Sequence, residues 1–190
     1  MPLETDIHSL ALGEAADGEG RYLFLVDAER DEFVAGCRFL THRGYAECVN
    51  LVSSGYGPTL FLLLMQLARR EGLRGVAPDL EYNSDEAKRM DERLYADPPP
   101  GVRRIVNPDG RQAEVYLNQI YFLDAELIPE AVARRNADRY FRGIASGAAV
   151  SPSGETGGER AHRSAQAGPA TLERLKEYLF RSELPFKDPQ

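Results

Sequence analysis

Along the first half of the chain, apolar residues fall into short runs separated by polar, glycine-bearing breaks. Residues 21–26 (Arg21-Tyr22-Leu23-Phe24-Leu25-Val26) and 33–40 are rich in strand-forming side chains. The polar stretch 27–32 lies between them, which predicts a hairpin. Thr41-His42-Arg43-Gly44 predicts the next turn, and residues 45–53 a third strand. Strict alternation over that strand puts Tyr45, Glu47, Val49 and Leu51 on one face, and Ala46, Cys48, Asn50 and Val52 on the other. Consecutive strands joined by short polar turns predict an antiparallel meander. Residues 1–20 are polar, with Gly13, Gly18 and Gly20, and predict a short first strand or arm followed by a loop.

After Ser53-Ser54-Gly55-Tyr56-Gly57 the pattern changes. From Pro58 to about Arg70 the chain is apolar nearly all round, which predicts a helix enclosed by the protein. Pro58 suits the first helical position, Arg69 and Arg70 suit the last turn, and Gly72 ends the run. Residues 73–80 read as a short extended piece interrupted by Pro78. Ser84-Asp85-Glu86-Ala87 predicts an N-cap and an acidic first turn, opening a helix that runs to about Tyr95. Its apolar stripe is Ala87, Met90 and Leu94, and Pro98-Pro99-Pro100 halts it. Residues 102–106 and 113–123 flank Asn107-Pro108-Asp109-Gly110, a second hairpin signal. A further helix is expected over 129–142. The Gly/Ala/Ser-rich residues 143–169 predict a flexible linker. From Thr171 to Leu184 an amphipathic helix presents Leu172, Leu175, Tyr178 and Leu179 on one side, suited to docking on the body or on another subunit. The chain thus divides into a domain over 1–142, a linker over 143–169 and a helical tail over 170–190.

Composition narrows the function classes. The chain has 190 residues, 43% hydrophobic and 28% charged, and a net charge of −7. That acidic balance does not suit free nucleic acid as a partner. Cys37 and Cys48 lack metal-site spacing, and His8, His42 and His162 are scattered, so no metal is expected. Residues 1–20 carry no apolar run, so no signal peptide is expected, and the run 60–65 is far too short to span a membrane. A cytoplasmic location is the expectation.

The junction between strand and buried helix carries the candidate chemistry. Gly55 and Gly57 permit positive φ or a close approach of ligand to bare backbone. The first N–H groups of the following helix lack intrahelical partners and sit at the positive end of its dipole, which suits a phosphate or pyrophosphate. Taken locally, the same glycines are explained by turn geometry alone. Ser53-Ser54-Gly55 is not a nucleophile elbow, and no Gly-Lys-[Ser/Thr] follows to make a P-loop. Arg103-Arg104 and Arg134-Arg135 read as solvated charge, and Tyr116, Tyr121 and Phe122 as strand packing.

The order of hairpin, strand, glycine turn, buried helix, short strand, helix and hairpin resembles the GNAT superfamily of acyl-CoA-dependent N-acyltransferases. The family motif [Gln/Arg]-x-x-Gly-x-[Gly/Ala] is matched by Val52-Ser53-Ser54-Gly55-Tyr56-Gly57, with valine in place of the usual polar first residue. The run Gly55-Tyr56-Gly57-Pro58 is most similar to the turn of divergent GNAT-like proteins of tailed bacteriophages. The resemblance covers about residues 20–96. It implies an α/β (α+β) fold with a mixed, mostly antiparallel central sheet and helices on both faces. It also implies acyl-CoA, first of all acetyl-CoA, as co-substrate, an unidentified primary amine as acceptor, and no metal. The implied cofactor contacts are Leu51, Val52, Ser53, Ser54, Gly55, Tyr56, Gly57, Pro58 and Thr59. In the family, neighbouring strands splay apart and a base on the first takes the amine proton. Glu47, a carboxylate in an otherwise apolar strand, is the first candidate, with Asp79 and Glu81 as alternatives. The family's Asn-x-x-Ala-x-x-x-Tyr helix pattern meets Ser84 and Ala87 but then Asp91; Tyr95 lies one turn later and is the candidate acid for the departing thiolate. The helices that normally follow the first strand are absent or reduced. Two other readings follow: a GNAT-like binding or regulatory module without transfer activity, and a phage enzyme, acting in the host cytoplasm, that acylates modified DNA bases. The C-terminal helix offers a face for self-association.

Overall fold

Four antiparallel strands form the first part of the sheet: β1 (Leu10–Asp17), β2 (Gly20–Asp27), β3 (Glu32–His42) and β4 (Tyr45–Ser53). The computed structural model of the chain describes residues 10–78, 85–110, 114–124 and 168–180. The connections follow from their turn residues. The Asp17 carboxylate accepts the Glu19 and Gly20 N–H groups at 2.8 and 3.2 Å, and the Asp27 carboxylate accepts those of Glu29 and Arg30 at 3.0 and 3.3 Å. Arg43 and Gly44 both adopt positive φ, the conformation whose twist matches a two-residue hairpin. The arm and loop expected before residue 21 are instead a full strand over residues 10–17. Leu10, Ala11, Leu12 and Ala15 are buried there, and Glu14 is held between Arg21 and Arg70.

Helix α1 (Gly57–Arg70) carries the chain from β4 to β5 (Val76–Ala77), which pairs with β4 in parallel. A parallel neighbour requires such a crossover. Pro58 stands at its second residue, one place later than expected, because the helix begins at Gly57. Helix α2 (Asp85–Ala96) precedes β6 (Val102–Val106), and a 3₁₀ turn (Val115–Asn118) precedes β7 (Gln119–Leu123). The seven-stranded sheet has the order β1-β2-β3-β4-β5-β7-β6 and is antiparallel throughout except at β4–β5. Residues 1–9, the N-cap expected at Ser84, the carboxylates Asp79 and Glu81, the helix expected over 129–142, the linker up to 167 and the tail beyond 180 lie outside the described residues.

Both faces of the sheet are covered. On one, α1 is buried from Leu60 to Ala68 against Leu23, Leu25, Cys37, Phe39, Ala46, Cys48, Val76 and Tyr121, and Met90, Leu94 and Tyr95 of α2 pack at its margin. On the other, α3 (Pro169–Phe180) sets Leu175 and Leu179 over Tyr22, Phe24 and Val26. Gly36 makes that approach possible: a Cβ there would lie 3.0 Å from Leu175 Cδ1 and 3.1 Å from Leu179 Cδ2. No described helix is long and apolar enough to cross a membrane.

An ion pair ties the sheet to the end of α1. The Arg21 guanidinium donates to both Glu71 oxygens at 2.7 and 2.6 Å, and this partner holds the Glu71 carboxyl below its ordinary range. A carboxyl with a depressed folded pKa contributes stability above its unfolded pKa and loses it as pH falls through the lower folded value. The melting temperature is therefore expected to fall between about pH 5 and pH 3, and more steeply than in Glu71→Gln. Both groups are a third exposed, so the difference is modest. Identical acid profiles for the two proteins would remove the pair from the account.

Candidate functional site

Among the described residues, the end of β4 beyond Cys48 is an open edge. Parallel pairing with β5 is confined to Ala46↔Val76 and Glu47↔Ala77. Pro78 follows at once and has no N–H to continue the ladder. On its other side β4 stays paired with β3 as far as Ser53↔Ala35. Residues 49–53 thus have a strand on one side only, among the described residues. A bulge adds to the separation. Arg38 lies opposite Asn50 and Phe39 opposite Cys48, which leaves Val49 as the extra residue. Bulges bend a strand and re-aim the side chains beyond them. The strict alternation expected over residues 45–53 is corrected accordingly. Ala46 and Cys48 face α1, and beyond the bulge Leu51 faces it too, while Val52 packs towards α3.

That open edge runs into the glycine turn. The Ser54 N–H donates to the Val34 carbonyl at 2.9 Å and pins the strand end to β3. Gly55 then takes φ +89°, and a Cβ placed there would meet nothing within 4 Å, so the turn faces open space. Tyr56 is the N-cap residue of α1 and makes no side-chain cap. The first intrahelical bond runs from the Leu60 N–H to the Tyr56 carbonyl at 2.9 Å. The N–H groups of Gly57 and Thr59 therefore lack intrahelical acceptors, Pro58 brings none, and no acidic residue sits in the first turn. Gly57 serves a different need: a Cβ there would lie 3.0 Å from Ser53 Oγ, 3.4 Å from Leu51 Cδ2 and 3.7 Å from Met90 Sδ. From behind, α3 sets the Tyr178 hydroxyl, buried, beside Ser54.

At the other end of the open edge, where β4 and β5 part, stands Glu47. Its side chain is 13% exposed, and Oε2 lies 3.3 Å from His42 Nδ1. His42 Nε2 lies 3.1 Å from the Tyr45 hydroxyl. Burial raises the Tyr45 pKa, so the phenol stays protonated. A tautomer with its proton on Nδ1 donates to Glu47 and accepts from Tyr45. Carboxylate, imidazole and phenol form a chain whose middle member is 40% exposed to solvent. Glu47 and the turn are joined by one extended strand, roughly 20 Å of chain at the usual rise.

Tyr95 is not brought to this edge. The Arg104 guanidinium stacks on its ring at 4.2 Å, against β6 at the far end of the strand order. Asp91, where the resemblance would put the tyrosine, is buried at 2% exposure; burial, with the Asp91 charge adding to it, raises the pKa of Tyr116 and Tyr121. Arg103 pairs with Asp124. Among the described residues no group of three His, Cys, Asp or Glu side chains is arranged to hold a metal.

Sequence reasoning placed the glycine turn and Glu47 but set His42 aside as scattered and passed over Tyr45 as a functional residue. The signal for both was local: a two-residue Arg43-Gly44 turn makes residues 42 and 45 direct cross-strand neighbours. Comparison with family models, curated proteins and solved structures finds no match for this chain.

Proposed function

We propose that the protein is an acyl-CoA-dependent N-acyltransferase of GNAT type, using acetyl-CoA and a primary amine. One observation carries the reading: the end of β4 beyond Cys48, with a strand on one side only among the described residues, leads through a positive-φ glycine into a helix start with no side-chain cap and no acidic residue. An extended amide-bearing arm pairs with such an edge as an added strand does. Its pyrophosphate end then meets the N–H groups of Gly57 and Thr59 and the positive helix end. Leu51, Val52 and Ser53 supply the edge, Ser54, Gly55 and Tyr56 the turn, and Gly57, Pro58 and Thr59 the first helical turn.

In the reaction the amine nitrogen attacks the thioester carbonyl, a C–N bond forms, the C–S bond breaks and the thiolate leaves. The amine must first lose a proton. Glu47 stands where β4 and β5 part and takes it, and gives it up to solvent once the product has left. The variant that tests the cofactor side is Gly55→Val. Its side chain enters open space, so the fold survives with a strained φ, while the anion site is filled; acetyl-CoA binding is expected to vanish.

A second reading is a module that binds CoA without transfer. The stacking of Arg104 on Tyr95 favours it, because the candidate acid for the thiolate is then held against β6. Saturable acetyl-CoA binding with no product on any amine would select this reading; an acylated product would remove it.

A further inference from the structure

We infer that Arg38 receives an anionic group carried by the acceptor amine, so that the substrates are amines with a carboxylate or phosphate at their other end. This rests on the acyltransfer reading above. Arg38 is the charged residue in the otherwise apolar core of β3, on the sheet face opposite α1, directly between Tyr22 of β2 and Asn50 of β4. It is half-buried, its Nε is fully buried, and that donor has no hydrogen-bond partner. The nearby acids are otherwise engaged. Asp17 and Glu19 pair with Lys176, and Asp17 also accepts from the Tyr22 hydroxyl. Glu47 faces His42. A buried guanidinium donor without an acceptor costs on the order of 1–3 kcal/mol, which an incoming anion recovers.

The neighbourhood gives the ligand a shape. A Cβ at Gly20 would lie 3.4 Å from Arg38 Cγ and 3.2 Å from Leu40 Cδ2, so the absence of a side chain at Gly20 makes room for both. Leu40 lies directly opposite Glu47, and at 39% exposure it is one of the few large apolar side chains left open. Across the sheet face the order is therefore the Gly20–Arg38 corner, then Leu40, then Glu47. Arg38 lies two residues along β3 from Leu40, and Leu40 one strand spacing from Glu47, so the ends are roughly 8 Å apart. An amine at Glu47, an aliphatic spacer over Leu40 and an anion at Arg38 fit this row.

The experiment uses 6-aminohexanoate, 6-aminohexyl phosphate and hexylamine as probes. In the wild-type protein the ¹⁵N resonance of the Arg38 side-chain N–H is followed as each is added. The two anionic amines are expected to shift it saturably and hexylamine to leave it in place; the tighter of the two assigns carboxylate or phosphate. In acetylation assays Arg38→Met is expected to raise KM for the preferred anionic amine about tenfold or more, with kcat and the hexylamine rate little changed, and Arg38→Lys to recover part of the loss. No shift from either anionic amine, or an equal shift from hexylamine, overturns the inference, as does an unchanged KM in Arg38→Met. Acetyl-CoA titration separates this from the acyltransfer reading: an Arg38 response in a protein that ignores acetyl-CoA keeps the anion site and removes the reaction.

Discussion

Gly75→Ala is expected to be the most damaging single-methyl change in the described part of the chain. Gly75 holds φ +141°, and a Cβ there would lie 2.3 Å from the Tyr121 carbonyl oxygen and 2.8 Å from Ile120 Cγ2. The first of these neighbours is backbone of the adjacent strand and cannot rotate away. The Gly75 carbonyl also accepts the Ala46 N–H at 2.9 Å, and the next residue, Val76, pairs with both Ala46 and Tyr121. One methyl group therefore presses on β4, β5 and β7 together. Backbone strain and overpacking each cost about 1–3 kcal/mol, so the sum is on the order of 4 kcal/mol. For a domain of this size that lowers Tm by roughly 10 °C. Because β5 is only two residues long, its displacement also changes the parting of β4 from β5, and acetyl-CoA affinity is expected to fall with stability. Thermal unfolding followed by circular dichroism checks the first effect. An unchanged Tm would mean that β5 is not seated against β7 as described.

The largest catalytic effect is expected from Glu47→Gln. Glutamine keeps the size of the side chain and can still accept from His42, but it cannot take a proton. Loss of a general base lowers the rate by about 10²–10⁴-fold. The drop belongs in kcat, because Glu47 stands at the parting of the strands and not at the turn proposed to hold the pyrophosphate. Acetyl-CoA affinity should stay within about twofold of wild type, since no ground-state contact to the cofactor is removed. Steady-state rates with 6-aminohexanoate, alongside calorimetric titration of the same preparation, separate the two quantities. A normal kcat removes Glu47 from the mechanism. A lost affinity with a normal kcat makes it a cofactor contact instead.

What the chain made legible depended on how local the determining physics was. The bounds of β4 were readable because alternation and the flanking Gly44 and Ser54-Gly55 mark them. The enclosed character of α1 was readable because an unbroken apolar surface has few alternatives. The bulge at Val49 was not readable: nothing about a valine between Cys48 and Asn50 distinguishes an extra residue from a paired one, and its position is set by register with β3. The same holds for Gly75, whose requirement comes from a carbonyl that is distant in sequence. Tyr95 sits at helical spacing from Met90 and Leu94, but what covers its ring is Arg104 on another strand. Arg38 stood in plain view as a charge inside an apolar strand, yet only the packing shows that no acid reaches its Nε. Local signals thus carried the glycine turn, and long-range packing carried the surroundings of Tyr95 and Arg38.

The central claim is that the turn at Gly55 and the open edge of β4 hold acyl-CoA. Calorimetric titration of wild type and Gly55→Val with acetyl-CoA tests it most directly. The account predicts one saturable site in wild type, a matching rise in Tm, and neither in a folded Gly55→Val protein. No heat and no thermal shift in wild type at millimolar acetyl-CoA, or undiminished binding in Gly55→Val, would contradict it.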